Sequence, residues 1–180
     1  MTIALEAPRR ELLAGYVEAL ERGWSSSSAR DVSKEQLAEI ARDPDRFLED
    51  LQNAGRPIKL EDGRSVPRLP GIVRWIHDGA FAGAINFRYQ HGTEALPAHC
   101  SGHIGYSVVA CKRRRGYATR ALQLILPAAR EVGLRRVLIT CDEDNWISQR
   151  VIETCGGVRT DDAPPMYPGE KVKRCFWITL

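Results

Sequence analysis

The chain lacks any run of about 18 uncharged apolar residues, the length a helix needs to cross a bilayer. Residues 1–20 carry Glu6, Arg9, Arg10, Glu11 and Glu18 and hold no continuous apolar segment, so no signal sequence is read there. A soluble, cytoplasmic protein without membrane contact is expected. Charge of one sign is also scarce: 26 basic against 23 acidic residues leave a formal net charge of +3, too little for a face-wide field that gathers nucleic acid. The five cysteines (Cys100, Cys111, Cys141, Cys155 and Cys175) form no CxxC pair and no Cys/His grouping at metal-ligand spacing. That excludes a disulfide framework and a structural zinc site, and predicts reduced, mostly buried thiols. Repeats and low-complexity segments are absent. What is present is a folded-protein composition, 43% hydrophobic with four Trp in 180 residues, which suits one domain over residues 1–180.

Periodicity divides the chain. Residues 8–22 read as a helix with Leu12, Leu13, Tyr16, Val17 and Leu20 on one face, and a serine run at 25–28 ends it. Ser33 is the expected cap of a second helix carrying Leu37 and Ile40, and Asp43-Pro44 opens a third with Phe47, Leu48 and Leu51. Residues 54–70 show no period and read as a surface loop, closing a helical part that spans 1–70. From 71 onward the period shortens. Residues 72–77 and 81–89 read as antiparallel strands joined through Asp78-Gly79, and 103–109 as a third strand.

A helix is predicted over 116–132, with Ala118, Ala121, Leu122, Ile125, Ala129 and Val132 at helical spacing; Pro127 lies inside it and should kink or shorten it. Residues 136–141 read as a buried strand parallel to the third, which makes a βαβ unit. Asp144 or Asn145 caps a last helix that Gly156-Gly157 ends, before strands near Val158 and over 171–179. The class is α+β with a mixed sheet.

The loop between the third strand and the long helix carries the chemistry. A helix N-terminus leaves backbone N–H groups unpaired and bears partial positive charge, and glycine lets a phosphate approach the main chain. Lys112, Arg113, Arg114 and Arg115 add cations suited to a ligand with several phosphates. A basic run of this kind is, by itself, more often a solvated turn.

Its surroundings change that. Arg113, Arg114-Arg115, Gly116, Tyr117 and Ala118 reproduce the pyrophosphate motif of the GNAT family of N-acetyltransferases: Arg or Gln, two residues, Gly, one residue, then Gly or Ala. The motif stands between the strand His103 to Val109 and an amphipathic helix, as in that family, and Asn145 through Gly157 resembles the family's later helix. The resemblance covers about residues 72–178 and is most specific over 103–157.

It implies a mostly antiparallel twisted sheet, flanked by helices, whose central parallel pair splays apart into a cleft for acetyl-CoA. Val108, Val109 and Ala110 would offer main-chain groups to the pantetheine arm, the amides of Arg113 to Ala118 would hold the pyrophosphate, and Asn145 would bond the arm. Ser148 either touches ligand or supports its helix. The implied reaction is attack of an amine on the thioester, with the main-chain N–H of Val109 holding the developing oxyanion. His103 is the first candidate for general base, with Glu94 and His99 as alternatives.

In many relatives a tyrosine seven residues beyond the Asn supplies the acid; here that position is Ile152, so either Tyr106 or Tyr117 takes the role or the thiolate leaves unprotonated. The aromatic that follows the helix-ending glycine is replaced by Gly157, which predicts a tighter or more mobile turn. The acceptor side falls to the N-terminal helices, residues 92–101 and residues 161–169; Arg88, at the end of the second strand, is a candidate for an acceptor carboxylate, and Asp142, Glu143 and Asp144 read as solvated loop charge or as a lure for a cationic amine. A small amine is the favoured acceptor, with a protein N-terminus or lysine as the alternative, and the protein is expected to act as a monomer or homodimer. A CoA-binding sensor without turnover is the competing reading, motivated by the missing tyrosine.

Overall fold

The computed structural model describes residues 2–27, 30–52, 57–60, 63–165 and 169–180. Its strands are β1 (Ala4–Glu6), β2 (Ile58–Lys59), β3 (Ser65–Val66), β4 (Gly71–His77), β5 (Phe81–Arg88), β6 (Ile104–Val108), β7 (Arg136–Asp142), β8 (Gly157–Arg159) and β9 (Lys173–Thr179). Its helices are α1 (Leu13–Glu21), α2 (Ser33–Arg42), α3 (Pro44–Gln52), α4 (Tyr117–Glu131) and α5 (Trp146–Thr154). None of these helices is long and apolar enough to cross a membrane.

Three features depart from the sequence reading. Ser33 is the first residue of α2 and does not cap it; the Asp31 carboxylate takes the Ser33 N–H at 2.9 Å. Residues read as structureless contain the two-residue strands β2 and β3, and β1 pairs with β4 from Ala4↔His77 to Glu6↔Trp75. Strands this short carry no measurable alternation. Finally, α4 runs without interruption through Pro127 for 15 residues. The missing hydrogen bond is outweighed by the side chains of Ala121, Leu122, Ile125 and Ala129, all buried against the sheet.

The antiparallel order is β1-β4-β5-β6 in one sheet and β7-β9-β8 in another. Helices α4 and α5 cover one face, where Ile85, Phe87, Ile104, Ile139, Phe176 and Ile178 meet Leu122, Ile125 and Ile152. Helices α1 to α3 cover one end of the other face, through an aromatic cluster in which Tyr16 stacks on Trp75 at 4.8 Å and meets Trp24, Phe47 and Phe81. Next to that cluster the second face carries Asn86, Arg88, His103 and Ser107 from β5 and the β6 side, and Leu138 and Trp177 from β7 and β9.

Candidate active site

The connection β6-α4-β7 is a βαβ crossover, which sets β6 and β7 parallel and side by side. They nevertheless belong to separate sheets. They join at one end, where the His103 N–H donates to the Leu138 carbonyl at 2.7 Å and the Leu138 N–H donates to His103 Nδ1 at 2.9 Å. Beyond that point the two strands part.

The register of β6 on β5 fixes which main-chain groups line the gap. The Val109 N–H donates to the Ala82 carbonyl at 3.0 Å, and the Arg88 N–H to the His103 carbonyl at 2.9 Å. In an antiparallel ladder the residues alternate, so Gly105, Ser107 and Val109 address β5 while Tyr106 and Val108 turn their N–H and C=O toward the gap. This corrects the assignment of Val109, whose amide is occupied by Ala82. The carbonyls of Val109 and Ala110 are likewise taken, by the N–H groups of Lys112 and Arg113 at 3.0 and 3.3 Å. The Val108 carbonyl accepts from Arg113 Nε at 3.0 Å, which leaves the Tyr106 and Val108 amides facing the gap.

At the far end of β6 the chain turns into α4. Gly116 sits at the N-cap with φ 80° and ψ 0°, no side chain caps the helix, and a Cβ built on Gly116 would meet nothing within 4 Å. The first helical bond runs from the Arg120 N–H to the Gly116 carbonyl, so the amides of Tyr117, Ala118 and Thr119 project from the helix end. Arg114 adopts φ 57°, the one described non-glycine residue with positive φ, so the loop holds a strained turn just before the helix. The side chains of Arg113, Arg114 and Arg115 are exposed around it. An open cradle of unpaired amides, partial positive charge and three guanidinium groups fits a pyrophosphate.

One residue of this assembly reads in the sequence only as part of a turn. Asp78, in the β4-β5 turn and 5% exposed at its side chain, accepts from Lys112 Nζ at 2.5 Å and from the Tyr117 hydroxyl. Lys112 and Tyr117 therefore grip the hairpin, and their side chains are not available to phosphate; Tyr117 contributes its backbone amide. These two hydrogen bonds hold the Asp78 carboxyl down at about 2.

We expect Asp78→Asn to weaken CoA binding on the order of tenfold by titration calorimetry, because it leaves the part-buried Lys112 ammonium without its counterion. The Asp78 pKa is depressed on folding, so its contribution to stability is complete above about pH 4 and fades as pH falls toward 2. Acid unfolding of the Asn variant should be correspondingly flatter over that window.

The proton-transfer candidates lie at different depths. His103 is 0% exposed, beneath the joined end of the two strands. Its Nδ1 lone pair accepts from Leu138, so Nε2 carries the proton; Nε2 has no hydrogen-bond partner, and burial lowers the imidazole pKa. No lone pair remains for an incoming amine. Glu94 is paired with Arg136 at 2.8 Å and with Arg135 at 3.6 Å, which lowers its pKa.

The Tyr106 hydroxyl spans the gap to α5 and meets Ser148 Oγ at 2.7 Å; burial pushes its pKa far above the usual range. Asn145 caps α5 by accepting the Ser148 N–H at 3.0 Å, so its amide nitrogen is the part left to meet a ligand. Ile152 is 0% exposed in the core. A Cβ on Gly157 would lie 2.5 Å from Ile152 Cγ2, so the glycine answers to this contact, while Gly156, at φ 88°, makes the turn. The acids at 142–144 face the β9 side: Asp142 pairs with Lys173 at 2.6 Å, Asp144 with Lys171, and Glu143 lies 4.0 Å from Arg174.

Comparison with known proteins gives the family and the fold. The profile of the acetyltransferase (GNAT) domain matches residues 28–158. Among solved structures, RimJ of Mycobacterium smegmatis in complex with CoA-disulfide is similar over 98% of this chain and 81% of its own, with 20% identity and a TM-score of 0.69. The microcin C7 self-immunity acetyltransferase MccE, in complex with acetyl-CoA and AMP, is similar over 99% and 92%, with 14% identity and a TM-score of 0.65. RimL, a ribosomal L7/L12 α-N-protein acetyltransferase in complex with coenzyme A, is similar over 100% and 95%, with 14% identity and a TM-score of 0.64. No curated protein sequence matches the chain.

Proposed function

Because the chain belongs to the acetyltransferase (GNAT) domain family, we propose that it transfers an acetyl group from acetyl-CoA to the primary amine of a small acceptor by direct attack on the thioester. One observation carries this reading: the uncapped N-terminus of α4, with its glycine cradle, adjoins a gap into which the Tyr106 and Val108 amides point. Bound acetyl-CoA supplies an activated acyl thioester. The α4 amides and Arg113 to Arg115 bind its pyrophosphate, and the Asn145 amide nitrogen bonds the pantetheine arm. The amides of Tyr106 and Val108 orient the carbonyl and hold the charge that develops on its oxygen.

The Tyr106 hydroxyl stands at the gap beside Ser148, which makes it the group placed to donate to the departing sulfur, although burial raises its pKa and so weakens it as an acid. The amine proton leaves to water, because His103 acts as a hydrogen-bond donor and not as a base. The rate should therefore climb with pH toward the acceptor's own pKa. A plateau set by a group that titrates below the ordinary imidazole range would restore His103 as the base.

Ile152 favours a second reading, a module that binds CoA and senses it. Thiol release from acetyl-CoA in the presence of an amine panel separates the two. Turnover with a small amine is the expected result; micromolar CoA binding without turnover on any amine would establish the sensor, and turnover only on peptide N-termini or lysines would move the acceptor to proteins.

A further inference from the structure

Arg88 ends β5 directly opposite His103, on the face that continues beyond the aromatic cluster of α1 to α3. Directly opposed residues on a sheet place their side chains on the same face about 5 Å apart at Cβ. The Arg88 guanidinium has five N–H donors, and among the described residues one of them meets a protein acceptor, Asn86 Oδ1 at 3.2 Å. Its Nε is buried without a partner, and among the described residues it meets no carboxylate. The His103 Nε2–H beside it is also buried and unpartnered. Glu94, the acid that bears electrostatically on His103, is paired with Arg135 and Arg136.

A half-buried cation beside a second idle donor is costly unless something negative completes it. Gly105, between Arg88 and the gap-facing residues of β6, adds no side chain over them: a Cβ there would already touch Asn86 Oδ1 and Arg88 Nη2, at 3.4 and 3.5 Å. Gly105 thus places no side chain between Arg88 and the gap.

We propose that Arg88, with Asn86 and His103 beside it, is the specificity-determining site for a carboxylate on the acceptor, so that the substrate is an amino acid or a closely similar amine bearing an acid group. This rests on the acetyl-transfer reading above. The guanidinium binds the carboxylate, Asn86 fixes the plane of the fork, and the neutral imidazole adds a donor without competing for the proton. The amino group of such a molecule then lies toward the gap, since the acid is anchored at the joined end of β6 and β7.

The test uses a panel of free amino acids, each paired with its primary amide, on the full-length protein. The expected result is a kcat/KM at least about tenfold higher for the acids, the discrimination typical of one charge-assisted contact. Arg88→Gln should raise KM for the acids about tenfold or more, leave kcat and the amides nearly unchanged, and leave the calorimetric Kd for CoA unaltered; Arg88→Lys should recover part of the loss. Equal use of acids and amides by the wild-type protein overturns the proposal, as does turnover confined to phosphate-bearing or polycationic amines. Loss of CoA binding in the wild type would instead remove the acetyl-transfer reading, which the calorimetry reports separately.

Discussion

Gly116→Asp should lower CoA affinity at least about a hundredfold, with the fold intact by circular dichroism. Two effects act together. A carboxylate at the N-cap stands where the pyrophosphate must sit, opposing it and competing for the same amides, and breaking one charge-assisted hydrogen bond costs about 1.5–3 kcal/mol. The backbone at φ 80° also favours glycine, so any side chain adds about 1 kcal/mol of strain.

Gly116→Ala separates the two effects. Its methyl group enters open space, with nothing within 4 Å, so it carries the strain alone and should weaken binding only several-fold. Isothermal titration of both variants with CoA gives the comparison. Unchanged affinity in the Asp variant would remove the phosphate site from this loop.

The second large effect is expected at Tyr106. If its hydroxyl donates the proton to the leaving sulfur, Tyr106→Phe should lower kcat by about a hundredfold, within the range ascribed to a single acid or base, while the Kd for acetyl-CoA stays nearly the same. The phenyl ring keeps the packing, and the orphaned Ser148 hydroxyl costs about 1 kcal/mol of stability, visible as a small fall in Tm. Ser148→Ala tests the partner and should show a milder loss, since the phenol can still reach the sulfur. A kcat within about threefold of wild type in Tyr106→Phe would mean that the thiolate leaves unprotonated, which its ordinary pKa near 8.5 permits.

The geometry of the loop proposed to hold the cofactor was legible because it depends on local sequence. A glycine at a strand-to-helix turn, flanked by arginines and followed by residues at helical spacing, specifies its own geometry. The Asn145 cap and the Gly156 turn are local in the same sense.

What sequence could not supply was pairing across strands. Whether the amide of Val108 or Val109 faces the gap differs by one residue of register, and only the bond from Val109 to Ala82 decides it. Asp78 reads as half of a turn signal, and its grip on Lys112 and Tyr117, over 30 residues away in the chain, is a product of the fold. His103 looks suited to proton transfer by its pKa class, yet burial and the Leu138 bond withdraw it. Arg88 and His103 become neighbours only through the register of β5 on β6. Pro127 misleads in the opposite direction: a local rule against helix yields to long-range packing.

The fit of Ile152 against Gly157 has a consequence for anyone who would redesign this protein. Grafting tyrosine at position 152, to imitate relatives that carry their acid there, would drive a phenol into a core position that is 0% exposed and against a strand start already too close for a methyl group. Such a variant should lose stability without gaining rate. With Tyr106 as donor, the acid stands on the strand facing the helix, and the two solutions are mutually exclusive: a lineage moving between them would have to change Ile152, Gly157 and Tyr106 together.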